Sequence, residues 1–219
     1  MNSGVAPSGY HDKHYAARDW RWYRGLLALA IQYSEPGPIL DVGAGVAQLL
    51  EAAQRWNLDC LGLEGSAEAI DIARGRCSSL KLEQHFLSDP FPLGDCTFQT
   101  IFLNQVIEHL EAAVAEACIS ECYRVLRPGG LLIVMSPNKY NKYERDADPT
   151  HICLYSPSSL KRLLASKSFT DIRPLDAPMD ILGKNVVGKQ IMKVVFKLTK
   201  WERLSGSANC MAWKPTSAK

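Results

Sequence analysis

Residues 38–66 read PILDVGAGVAQLLEAAQRWNLDCLGLEGS. Ile39–Val42 is a short apolar run that stops at glycines, which predicts a buried strand. Ala47–Trp56 has helical character, and Leu58–Glu64 is a second strand run. Ser66 is placed to cap the helix that follows, through about Arg76. Strand, tight turn, helix and strand, with strands apolar throughout, form the unit of a parallel sheet covered on both faces. Ligands of such sheets sit beyond the carboxyl ends of the strands. Glycines 43 and 45 let the backbone turn sharply there and lie close to a ligand. Glu64 closes the second strand, 19 residues after Gly45. A carboxylate at that place can accept hydrogen bonds from both hydroxyls of a ribose. One Gly-x-Gly alone reads equally well as a plain strand–helix turn; with Glu64 it marks a nucleoside site.

The pattern continues outward. Leu80–Leu87 and Phe98–Asn104 are the third and fourth strands, and Glu111–Leu126 is a long helix closed by Arg127-Pro128-Gly129-Gly130. Leu131–Ser136 is the fifth strand. Ser156-Pro157 opens another helix, with proline at its first position. Thr170–Leu175 and Asn209–Trp213 read as closing strands. Upstream, residues 1–9 read as a frayed terminus and 10–33 as one helix or two. Residues 184–203 form an amphipathic pattern. Val187, Ile191, Val194, Val195 and Leu198 fall on one face, and Lys189, Lys193, Lys197 and Lys200 on another. The expectation is a helical cap over 1–37 and an α/β domain over 38–219, with an inserted helix at about 184–203. That helix packs its apolar face on the domain or a second subunit; attachment to an anionic membrane surface is the less favoured reading.

The chain has 219 residues, with 25 Lys+Arg against 23 Asp+Glu. The near balance argues against a dedicated nucleic-acid binder, which needs a strongly basic face. Seven cysteines show no CxxC spacing. Cys118 and Cys122 fall in an apolar helical pattern and read as buried structural thiols. Reduced thiols, no signal-peptide pattern and no membrane-length apolar run imply a cytoplasmic protein.

A dinucleotide fingerprint places a third glycine three positions past Gly45, where this chain has Gln48. That weakens an NAD reading and favours a nucleoside ligand without phosphate. The runs ILDVGAGVAQLL (39–50), LGLEGS (61–66), FQTIFLNQVIEHL (98–110) and VLRPGGLLIVMSPN (125–138) resemble the class I S-adenosylmethionine-dependent methyltransferases. The likeness covers about residues 38–176 and is nearest to the branch with ubiquinone-biosynthesis O-methyltransferases and many natural-product methyltransferases. It implies a Rossmann-like, doubly wound sheet of seven strands in the order 3-2-1-4-5-7-6, with strand seven antiparallel.

The resemblance also implies roles. Gly43, Ala44 and Gly45 would lie under the methionine part of S-adenosyl-L-methionine, and Asp41 would orient that loop or reach the ammonium through water. Glu64 would bind the ribose, Gly65 and Ser66 would flank the adenine, and the backbone at Leu103 and Asn104 would meet the ammonium. Glu108-His109 matches a pair whose role is capping, packing or catalysis. Three positions depart from the pattern. Ala47 replaces a third glycine. Phe86 stands where many members have an adenine-binding Asp, leaving adenine to backbone near Leu87 and an apolar wall. Gln99 replaces an Asp before strand four.

A hydroxyl nucleophile needs its proton removed, and histidine is the usual base. Of His11, His14, His85, His109 and His151, the last lies in DPTHICLYSPSSLKRLLASKSF (148–169), after strand five, where an acceptor would sit. His151 is therefore the candidate base, or a tie between loop and helix. His11 and His14 lie in the aromatic N-terminal cap with Tyr10, Tyr15, Trp20 and Trp22, and His85 reads as part of strand three. The ligand spacing predicts no metal. The expected activity is methyl transfer to a small-molecule acceptor, oxygen slightly ahead of nitrogen or carbon. A binding-only protein, or transfer to a lipid-linked or protein-bound acceptor, is the alternative.

Overall fold

The computed structural model describes residues 20–142, 148–175 and 207–216. The helix read over 184–203 and the histidines at 11 and 14 lie outside the described residues. In chain order the elements are α1 (Trp20–Tyr33), β1 (Ile39–Val42), α2 (Gln48–Arg55), β2 (Cys60–Glu64), α3 (Ala67–Arg76), β3 (Leu82–Gln84) and β4 (Phe98–Asn104). A 3₁₀ turn (Ile107–His109), α4 (Ala112–Val125), β5 (Leu126–Met135), α5 (Pro157–Ser166), β6 (Thr170–Pro174) and β7 (Cys210–Trp213) follow. The strands form one seven-stranded sheet in the order β3-β2-β1-β4-β5-β7-β6. β7 runs antiparallel to both β5 and β6, and the other pairs are parallel. Order and direction are those implied by the resemblance.

Side chains alternate between the two faces of each strand. Leu40, Val42, Ile101, Leu103, Leu132 and Val134 point to one side, where α4 and α5 pack through Cys118, Ile119, Cys122, Leu160 and Leu164. Ile39, Phe102, Leu131 and Ile133 point to the other, onto α1, α2 and α3 through Leu27, Leu49, Leu50 and Ile70. Burial on both faces explains why these strands read as unbroken apolar runs. Cys118 and Cys122 are buried, and all seven cysteines are free thiols. Among the described residues no helix is long and apolar enough to cross a membrane.

Two strands depart from the sequence reading by more than two residues at one end. The third strand is three residues long, not eight, because only Leu82–Gln84 find partners on β2. The fifth strand begins at Leu126 directly after α4, since Leu126 pairs with Phe98 and the ladder resumes at Leu131 opposite Thr100. Arg127–Gly130 is thus a bulge inside the strand. Gln99, one of the departures, lies far from the carboxyl edge. Its side-chain amide reaches Ser34 Oγ at 3.4 Å and its backbone N–H donates to Pro38 O at 2.8 Å, tying the end of α1 to β4.

α5 starts as the Ser-Pro pair predicts. Ser156 Oγ accepts from Ser159 N at 3.2 Å, and Ser159 Oγ accepts from Ser156 N at 2.8 Å, a reciprocal capping box. Ser156→Ala is expected to cost about 1 kcal/mol of stability, read as a fall in the urea midpoint with unchanged slope.

Candidate cofactor and acceptor site

The site is built at the carboxyl edge of the sheet. After β1 the chain passes Gly43 (φ +73°), Gly45 (φ +55°) and Ala47 (φ 59°) in left-handed conformation. Gly43 and Ala44 both donate to the Leu63 carbonyl, at 2.8 and 2.9 Å, so the loop is folded onto the end of β2. A Cβ on Gly43 would stand 2.5 Å from Val106 Cγ2, on the segment leaving β4. Ala47 caps α2 in the left-handed region, where its methyl costs on the order of 1 kcal/mol that glycine would not. This is why a glycine suits that place, and the single methyl is tolerated.

Glu64 closes β2 and is buried. Its Oε2 accepts from Gly45 N at 2.7 Å and its Oε1 from Ser66 N at 2.8 Å. Each oxygen keeps a second acceptor direction. Ser66 Oγ in turn accepts from Ala69 N at 3.2 Å and caps α3. Asp41 lies buried at the end of β1, and its carboxyl is pushed up to about 7, first by burial and then by the charge of Glu64. Gly65 is half-buried and its carbonyl accepts from Gln84 Nε2 at 3.3 Å. Beyond β3, His85 N–H donates to the Glu64 carbonyl at 2.8 Å, which sets the next residue, Phe86, beside the end of β2. Phe86 is 40% exposed, an open apolar ring, and Leu87 is buried. At the end of β4, Leu103 is in the core, while Asn104 Oδ1 is a buried acceptor with no hydrogen-bond partner. Asn104 Oδ1 suits a ligand that brings donors, as an ammonium and ribose hydroxyls would; by that observation the residues fit S-adenosylmethionine.

Across this edge the fold brings together residues far apart in sequence. The Glu108 carbonyl accepts from Ile152 N at 2.8 Å and Cys153 N at 3.0 Å, locking the segment after β4 to the loop before α5. The rings of His109 and His151 stand 5.0 Å apart. His109 Nδ1 lies 2.9 Å from Thr150 Oγ1 and 3.2 Å from the Thr150 carbonyl. Thr150 Oγ1 donates to Asp148 Oδ1 at 2.6 Å, and Asp148 Oδ2 stands 3.9 Å from His151 Nε2. The His151 side chain is only 6% exposed. Glu108, His109 and His151 offer ligand atoms within 4.8 Å of one another. This convergence, with the parts played by Asp148 and Thr150, is what the spacing along the chain does not show. The local signal was the Asp-Pro-Thr turn, a sequence in which the Asp side chain bonds backbone two residues on, as Asp148 Oδ1 does with Thr150 N at 2.9 Å.

A methyltransferase-domain family model matches residues 13–173. The chain therefore belongs to the methyltransferase-domain family. Within it, a probable S-adenosylmethionine-dependent methyltransferase of Mycolicibacterium smegmatis is 30% identical over 130 residues, 58% of this chain and 48% of that protein. The mitochondrial ubiquinone biosynthesis O-methyltransferase of Rattus norvegicus is 32% identical over 108 residues, covering 46% of this chain and 31% of that one. The chain thus spans half or less of the length of these two relatives. An S-adenosylmethionine-dependent methyltransferase from Archaeoglobus fulgidus superposes with a TM-score of 0.71 at 18% identity, covering 94% of this chain and 98% of that one, a likeness of fold.

The buried Asp41 carboxyl makes stability depend on pH. Its folded value of about 7 exceeds the ordinary 3.8. Between those values the folded state holds a proton that the unfolded chain has lost. Stability then falls as pH rises from about 4 to about 7, by at most about 1.4 kcal/mol per unit, and levels off above. Asp41→Asn should remove that slope, read from urea midpoints across the interval.

Proposed function

We propose that this chain transfers a methyl group from S-adenosyl-L-methionine to a small-molecule acceptor, with an oxygen nucleophile favoured. The observation that carries the reading is the meeting, on one sheet edge, of the Glu64 clamp on Gly45 and Ser66, the unpartnered Asn104 Oδ1 and the His109–His151 pair. The bound cofactor supplies an electrophilic methyl on a cationic sulfur. Glu64 holds the ribose hydroxyls through its remaining acceptor directions. Asn104 meets the amino-acid end, and Asp41 supplies a negative charge behind the glycine loop. Gly65, Ser66, Phe86 and Leu87 border the adenine, with the Phe86 ring as an apolar wall in place of an acid. His151 takes the acceptor proton or orients the acceptor.

Holding nucleophile, methyl and sulfur in line at about 3–3.5 Å is the main contribution asked of such a site. The leaving group is already activated by its positive charge, so the reaction needs no Lewis acid, and we read turnover as metal-independent. A near-neutral chain supports a small acceptor over a polyanion. Seven free thiols support a reducing, cytoplasmic setting.

Three outcomes are expected. Glu64→Ala should weaken S-adenosylmethionine binding by roughly 1.5–3 kcal/mol in calorimetry, the scale of a hydrogen bond to a charged group; parental affinity rejects the ribose assignment. In a screen of metabolites with methyl-labelled cofactor, His151→Ala should lower turnover by about 10²–10⁴-fold while leaving cofactor affinity in place. Parallel loss of binding would mark His151 as a tie between loop and helix. Activity should survive EDTA and gel filtration; loss restored by a divalent cation would make Glu108, His109 and His151 ligands instead.

A further inference from the structure

His109, Thr150 and Asp148 form a connected run whose proton positions follow from the acceptors in it. Asp148 Oδ1 accepts the backbone N–H of Thr150 at 2.9 Å, a bond that favours the ionised carboxylate. Thr150 Oγ1, 2.6 Å from the same oxygen, must donate its one hydroxyl proton there. With that proton engaged, Oγ1 can only accept from His109 Nδ1, at 2.9 Å. The Thr150 carbonyl, 3.2 Å from the same nitrogen, also only accepts. Both contacts require the proton on Nδ1. In a neutral imidazole the lone pair then resides on Nε2.

The position is fixed as firmly as the tautomer. Val106 packs where a Cβ on Gly43 would stand, so the segment leaving β4 is seated on the glycine loop. His109 follows three residues later in the 3₁₀ turn, five residues after Asn104. The groups facing it are Glu108 on its own turn and Asp148, Thr150 and His151 on the loop before α5.

We propose that His109 is a second proton acceptor of the acceptor site, held with Nε2 basic by Asp148 acting through Thr150. Asp148 and Thr150 are positioning residues. Asp148 serves both rings, since its other oxygen stands 3.9 Å from His151 Nε2. As the acceptor O–CH₃ bond forms and the S–CH₃ bond breaks, the hydroxyl proton passes to Nε2 of His109. The imidazolium is offset by the Asp148 carboxylate, and the proton returns to water after the methylated product leaves. The inference rests on methyl transfer for its use, while the tautomer is measurable with no acceptor present.

The test uses the full chain with ¹⁵N-labelled histidine and long-range ¹H–¹⁵N correlation, with His109→Gln to assign the ring. The parent should show His109 as the Nδ1–H tautomer. Thr150→Val should lower the proton affinity of His109 about tenfold, one pH unit, and leave the ring signals of His151 in place. Thr150→Ser should behave as the parent. An Nε2–H tautomer in the parent, or Thr150→Val and Thr150→Ser titrating alike, overturns the linkage. His109→Gln should bind S-adenosylhomocysteine normally and transfer labelled methyl into the small-molecule fraction of an extract about 10²-fold more slowly. Transfer at the parental rate overturns the proton-acceptor role. A parent that shows the tautomer and moves no methyl group overturns that role together with the transfer reading, and leaves the Asp148–Thr150–His109 linkage standing.

Discussion

The Glu64 carboxylate is the constraint on which the site depends. One side chain satisfies the backbone N–H of Gly45 in the first loop and of Ser66 at the head of α3. It thereby joins two turns that the sheet only brings near each other. Hydrogen bonds to a charged acceptor are among the stronger ones available to a protein. The arrangement also puts a negative charge in a buried place beside Asp41, whose own ionisation is thereby opposed. A cationic ligand relieves both terms, because it offsets Glu64 and lets Asp41 ionise. A pyrophosphate would add to them. The electrostatics of the edge and the residue at position 48 thus weigh against a dinucleotide for independent reasons.

Much of the fold was legible because burial on both faces of a parallel sheet leaves a strong, local trace. β1, β4 and the apolar end of β5 stand where their runs place them, as do the Ser66 and Ser156 caps. The errors lie where tertiary pairing overrides composition. The residues around β3 are apolar enough to suggest a longer strand, yet pairing with β2 ends after Gln84. Arg127–Gly130 reads as a terminator, yet it is absorbed as a bulge in a strand that begins at Leu126.

The candidate site divides in the same way. Its nucleoside half is written locally, in a glycine turn and an acid one strand later. Its acceptor half is assembled from two segments some forty residues apart, through backbone bonds from Ile152 and Cys153 to Glu108. Neither Glu108-His109 nor Asp148–His151 announces the other. The spacing rule that argued against clustered ligands along the chain carries no information on a cluster made in space.

Charge accounting links the two halves. Before transfer, the proposed cofactor brings a sulfonium and an ammonium to an edge where Glu64 and an ionised Asp41 can oppose them. Transfer removes the sulfonium charge and liberates one proton from the hydroxyl acceptor. At neutral pH Asp41, with a value of about 7 in the free protein, is left without part of what kept it ionised and can bind a proton again. In the proposed reaction the histidine pair would meanwhile hold the proton released on the acceptor side. The charge lost from sulfur is matched by the proton the histidines would take, so the transfer itself adds no net buried charge to the edge, and any proton that Asp41 binds comes afterwards from water. The packing of Val106 against Gly43 joins the loop that follows Asp41 to the segment that leads to His109. A substitution that loosened that packing would then alter both cofactor affinity and the orientation of His109, although Val106 itself carries no group able to bind a proton.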